Sequence, residues 1–232
     1  MLPTTQALVL TLVGATLVRL TLTEAHLRYV NDWMRWPLLA SGVLLVVVAL
    51  LQVLRPGAVR TGRGEPDEQD DHGVSRAAWL LLAPVLVVFT ISPPALGAWS
   101  AERSSNEVPA REAEGAELPL PPSEGPLEIE VVDFVVRVQY DDARSLEGRD
   151  VSVVGFVSGD DEGNWYVTRM SMACCAADAS ASRIMVTGAD APPRDSWVRV
   201  TGRWDPLDGG RPRSAMAASA VEPVAAPLDP YG

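Results

Sequence analysis

Residues 37–54 read PLLASGVLLVVVALLQVL, eighteen consecutive positions without a charge. This run decides the fold class. A buried strand uses only about four to eight residues, whereas eighteen in a helix, at about 1.5 Å each, approach the roughly 30 Å hydrocarbon core of a bilayer. The approach to the run, NDWMRW at 31–36, supplies Trp33 and Trp36, whose indole rings favour a membrane–water interface, and Pro37 suits a first helical turn. Arg55, Pro56 and Gly57 then stop the helix.

The longest such segment lies further on. Residues 77–96, AAWLLLAPVLVVFTISPPAL, form twenty uncharged positions, with Trp79 and Trp99 at the two ends of the span. Pro84 is expected to bend this helix, and Pro93 with Pro94 to end it. A third apolar segment, residues 8–22, is interrupted by Arg19. No basic n-region or small-residue cleavage site marks it as a signal peptide, so a helix over about 6–25 is expected, with Arg19 snorkelling to the nearer interface. Three transmembrane helices at about 6–25, 37–54 and 77–96 thus make residues 1–99 a membrane domain. Arg55, Arg60, Arg63 and Arg76 in the second loop favour that loop in the cytoplasm, which places the C-terminal domain outside.

The rest of the chain is a different polymer. The net charge is −11, and all 19 basic residues are arginine. Nucleic acid is excluded as a partner, because a phosphate-binding surface needs clustered cations. Residues 65–71, EPDEQDD, are an acidic solvated stretch followed by His72, and residues 100–126, rich in Glu, Pro, Ser and Ala, read as an extended linker. From 127 the chain breaks into short Val/Ile-rich runs separated by turn signals. Residues 127–137 open the series, followed by runs at 151–158, 165–173, 183–187, 197–204 and 214–221. The five from 151 onward, with Gly155 and Gly202 placed for coiling or a bulge, predict an all-β, OB-like small barrel over 127–224, ahead of a tail at 225–232.

The distinctive local chemistry is MSMACCAADA at 170–179. On a strand, Met170, Met172 and Cys174 share a face, and Asp178 lies one turn beyond Cys175. Thiolates bind soft or borderline metals, and a carboxylate can complete a zinc set, so Cys174, Cys175 and Asp178 are candidate ligands, with His72 a weaker fourth. The same residues also read as core filling by Met and Cys and as a turn capped by Asp178. His26 and His72, the only histidines, read as exposed loop residues. No Ser/His/Asp set, phosphate loop or paired carboxylates occurs, and no enzyme is expected.

Several stretches resemble the YcgQ-type family of two-component membrane permease complex subunits. They are residues 26–36, WLLLAPVLVVFTISPPALGAW at 79–99, SLEGRDVSVVGFVS at 145–158, YVTRMSMACCAADA at 166–179 and SWVRVTGRW at 196–204. The resemblance implies a multi-pass protein of the bacterial plasma membrane. Its partners would be the bilayer and a larger polytopic permease, its substrate unknown, with a connection to divalent metal handling. It also implies that Cys174, Cys175 and Asp178 are signature positions. Many relatives carry a histidine-rich stretch in the second loop, whereas this loop is acidic and holds only His72. The alternative is a stand-alone membrane-anchored protein that binds a metal such as zinc or copper, or senses redox state, through Cys174 and Cys175.

Overall fold

The computed structural model describes residues 3–54, 87, 95–104, 119–122, 124–141, 144–206 and 214–231. It falls into two compact units, Met1–Pro94 and Ala95–Gly232.

In the first unit, helix α1 (Pro3–Leu22) and helix α2 (Arg35–Leu54) are joined by two short 3-10 turns, Ala25–Arg28 and Asp32–Met34. Glu24 turns the chain out of α1 in a left-handed conformation, φ 58°. The two helices meet through small residues. A Cβ on Gly14 would lie 2.7 Å from the Gly42 carbonyl oxygen, and one on Gly42 would lie 3.0 Å from that of Gly14. The only buried residues of α2 are Gly42 and Ala49, while Leu44, Leu50, Val53 and Leu54 are exposed. Buried Thr16 and Thr21 turn their hydroxyls back to the carbonyls of Leu12 and Leu17, at 2.8 Å each. This i−4 bonding satisfies a hydroxyl without outside help.

Of the three expected membrane helices, one among the described residues is long and apolar enough to cross a bilayer, Asp32–Leu54. The first helix, α1, runs 20 residues, and its apolar segment among the described residues is Ala7–Leu22, with Arg19 inside it and the Glu24 turn just beyond its end. The third, residues 77–96, lies outside the described residues apart from Val87, Ala95 and Leu96, as do the acidic stretch at 65–71 and His72. His26 departs from its expected exposure. The turn after α1 folds it inward to 2% exposure, with Nδ1 3.4 Å from the Leu20 carbonyl oxygen.

The second unit holds a six-stranded mixed sheet: β1 (Leu127–Glu128), β2 (Asp150–Gly159), β3 (Trp165–Ser171), β4 (Ser180–Thr187), β5 (Trp197–Trp204) and β6 (Ala215–Pro223). The order is β1-β2-β3-β4-β6-β5, and a further β2–β5 pairing closes β2 to β6 into a ring. β1–β2 and β4–β6 are parallel and the other pairs antiparallel. Alternation sends Val151, Val153, Val167, Ile184, Val198 and Val200 into one core. Gly202 sits at a register shift in β5, where a Cβ would run into the Ala217 carbonyl oxygen, so the strand coils where only glycine fits.

The domain is not all-β. The Val/Ile-rich run expected to begin the strand series gives two strand residues and then a helix, which we number α4 (Val131–Tyr140). Val131, Phe134 and Val135 are fully buried, at helical spacing, with Asp133 in the first turn and Arg137 in the last. That spacing and the favourable charge placement at the helix ends outweigh the β preference of the valines.

Nor does the unit begin at 127. A short helix α3 (Ala98–Ala101) packs on the sheet. Ala98 and Ala101 are fully buried beside Phe156, Met170, Met172, Ala181 and Tyr231. Leu96 N–H donates to Tyr231 Oη at 2.8 Å, and Ala98 N–H donates to Asp195 Oδ1 at 2.7 Å. Glu102 accepts from Gly159 N–H at 3.1 Å and pairs with Arg194 at 2.6 Å. The start of the expected linker and the end of the expected tail are therefore built into the β unit. Among the described residues, 102–104, 119–122 and 124–126 lie outside helix and strand within the expected 100–126 stretch.

Candidate functional site

Strand β3 ends at Ser171, and the chain turns through Cys174 and Cys175 into a single 3-10 turn, Ala176–Asp178, before β4 begins at Ser180. Small residues at 173, 176, 177 and 179 let the backbone fold this tightly. Cys175 caps the turn, and the pattern is reciprocal. The Cys175 sulfur accepts the Asp178 N–H, and the Asp178 carboxylate accepts the Cys175 N–H at 3.3 Å. The same carboxylate accepts from Ala173 N–H at 2.9 Å and Cys174 N–H at 3.0 Å. It also accepts the Cys174 thiol at 2.8 Å, and Cys174 Sγ lies 3.6 Å from Cys175 Sγ.

Both thiols are half-buried and Asp178 is exposed. The electrostatics follow from the contacts. The hydrogen bond to Asp178, then that to Cys175, push the Cys174 thiol up to about 12. The thiol bond in turn holds Asp178 below the ordinary carboxylate range, helped by the three backbone N–H groups and opposed by burial. Cys174 at neutral pH is thus a protonated thiol bound to a carboxylate, a poor nucleophile in this state.

The structure brings together Cys174, Cys175 and Asp178, one ligand-capable atom from each lying within 4.8 Å of the others. It does not add the thioethers as ligands: Met170 and Met172 are buried in the cluster under α3 and Tyr231. His72 lies outside the described residues.

Sequence reading missed the residues that fasten the unit's ends. Asp195, at φ 64°, caps α3 from 97 positions away, and no local pattern links the two. The acidic turn after β2 was visible as a turn, but its organisation was not. Asp160 accepts from Glu162 N–H, from Asn164 N–H and Nδ2, and from Tyr166 Oη at 2.8 Å. Burial, reinforced by Asp160, pushes the Tyr166 hydroxyl up to about 12.

Residues 125–231 match the family described as the DUF1980 C-terminal domain, which agrees with a YcgQ-like chain at that level. No curated protein and no solved structure matches.

Proposed function

We propose that this chain is an accessory, non-catalytic subunit of a two-component membrane permease complex, held in the bacterial plasma membrane by three helices. The observation that carries the reading is the α1–α2 hairpin. Its seam is built from Gly14, Gly42 and Ala49, and its outside from exposed leucine, valine and tryptophan. Close backbone approach through small residues, with large apolar side chains outward, suits lipid and the helices of a polytopic partner. Residues 77–96 would supply the third helix, and the arginines of the second loop support an extracytoplasmic β unit.

The closed ring of β2 to β6, with β4 and β6 parallel, supports an OB-type barrel. The outer face of such a barrel often binds oligonucleotides. Here Met170 of β3 and Ala181 of β4 pack under α3 and Tyr231, which favours a structural use of that face. The test is purification from native membranes in mild detergent. The adjacent gene's polytopic product is expected to copurify with the wild-type chain and equally with the Cys174→Ser/Cys175→Ser double variant. A chain that purifies alone would sink the proposal.

A separate observation favours a second reading, a metal or redox site connected with divalent metal handling. The two sulfurs and one carboxylate of Cys174, Cys175 and Asp178 already converge. Under this reading the reduced full-length chain carries zinc or copper near one equivalent, and the double variant carries none. A metal-free wild-type chain discards it. The full chain is required, because a fragment starting at 127 would lack the α3 contacts.

A further inference from the structure

A second site lies away from the cysteines, on the opposite face of β2 from the barrel core. Alternation puts Val151 and Val153 in the core and turns Ser152 and Val154 the other way. β1 leaves β2 after Ser152, and β3 joins it only at Phe156. Beside this interval is a cleft of about 680 Å³, within the roughly 300–1,000 Å³ typical of small-molecule sites.

Two features of the cleft point to a ligand. The first is Ser152, a residue 5% exposed whose hydroxyl has no hydrogen-bond partner among the described residues. A buried hydroxyl is ordinarily satisfied, so an unmatched one lining a cleft marks a position where a polar ligand group completes the set. The second is the charge of the lining. In a chain of net charge −11, this cleft gathers Arg137, Arg169 and Arg199 against Glu128, Glu130 and Asp133. Arg199 pairs with Glu128. Arg169 is fixed in place by its stack on the Trp197 ring, 5.1 Å to the centroid, and by a 3.2 Å bond to the Asp229 carbonyl. Positioned charges of both signs, around an apolar wall that includes Val154 and Val224, complement a ligand that itself carries both signs.

We propose that this cleft binds a small zwitterion of di- or tripeptide size, with its carboxylate at Arg169, its ammonium at Glu130 and a peptide group at the Ser152 hydroxyl. A free amino acid has no peptide group for the Ser152 hydroxyl, and an inorganic anion would use only one sign of the lining.

The test is calorimetric titration of the detergent-solubilised full chain with leucyl-leucine, its N-acetyl form and its C-terminal amide. Leucyl-leucine is expected to bind saturably at one site, and blocking either end to weaken binding about tenfold, since each block removes one charge-assisted contact. Glu130→Gln should weaken leucyl-leucine while leaving the N-acetyl form unchanged, a pattern that misfolding cannot produce. Ser152→Ala should weaken all three probes by a few-fold. Absence of saturable binding by leucyl-leucine in the millimolar range, or equal binding of the three probes to the wild-type chain, would overturn the proposal.

Discussion

The two units bury opposite kinds of residue. In the helical hairpin, glycine, alanine and threonine are inside, and leucine, valine and tryptophan are outside. In the β unit, Phe134, Leu146, Ile184, Met216 and a set of valines are inside, while arginines and carboxylates pair at the surface. The β unit is ordered by the removal of apolar area from water. The hairpin cannot be, because its apolar area stays on the outside. It is ordered by close backbone contact at Gly14 and Gly42, the kind of packing that works where the surroundings are themselves apolar. One chain therefore uses two different cohesive forces.

The largest effect that tests this contrast is a pair of truncations. Phe134→Ala empties a fully buried site and should cost the β unit about 3–5 kcal/mol in thermal or denaturant unfolding. Leu44→Ala, at a position 62% exposed on α2, should cost about 0.5 kcal/mol or less in detergent. Equal losses would break the comparison. Next comes Gly42→Leu, whose Cβ meets the Gly14 carbonyl and the Val18 and Leu17 side chains. It should separate the helices at a cost of about 1–3 kcal/mol, read as loss of a cysteine cross-link engineered across the seam. An undiminished cross-link yield would show that the seam is not the cohesive element. Smaller again is Asp195→Ala, which removes the acceptor for the Ala98 N–H and should lower β-unit stability by about 1 kcal/mol while leaving the core intact.

What could be read from the sequence follows the same division. Residues 37–54 are legible because eighteen uncharged positions leave one physical solution. The strands from β2 onward are legible because period-two alternation and turn residues agree. The run from Val131 has the β-branched composition of a strand, but its burial has helical period. α3 is four residues long, too short for periodicity, and exists because Asp195 and Tyr231 reach it from the far end of the sequence. The same limit applies to the cleft, since Ser152, Arg169 and Glu130 converge only after β1 and β3 meet β2. The cysteine turn was legible because its partners lie within five residues.

That turn carries the prediction with the smallest effect on stability, because its groups lie at the surface. Asp178 is held below its ordinary range in the folded chain, so its contribution is present above the unfolded carboxylate value and is lost as pH falls through the folded one. Cys174 is held above its ordinary range, so its contribution is complete below the unfolded thiol value and fades as pH rises from there toward about 12. Both trends have one physical origin, the proton that Cys174 donates to Asp178. Asp178→Asn removes the negative charge that keeps that proton on sulfur and leaves a side-chain oxygen to accept the backbone N–H groups. The thiolate fraction at neutral pH should rise, and alkylation of Cys174 by iodoacetamide should quicken about tenfold or more. Cys175→Ala should change the Cys174 rate less, because Asp178 is the larger cause of the upward shift. If Asp178→Asn leaves the alkylation rate unchanged, the thiol–carboxylate bond does not set the chemistry of this turn.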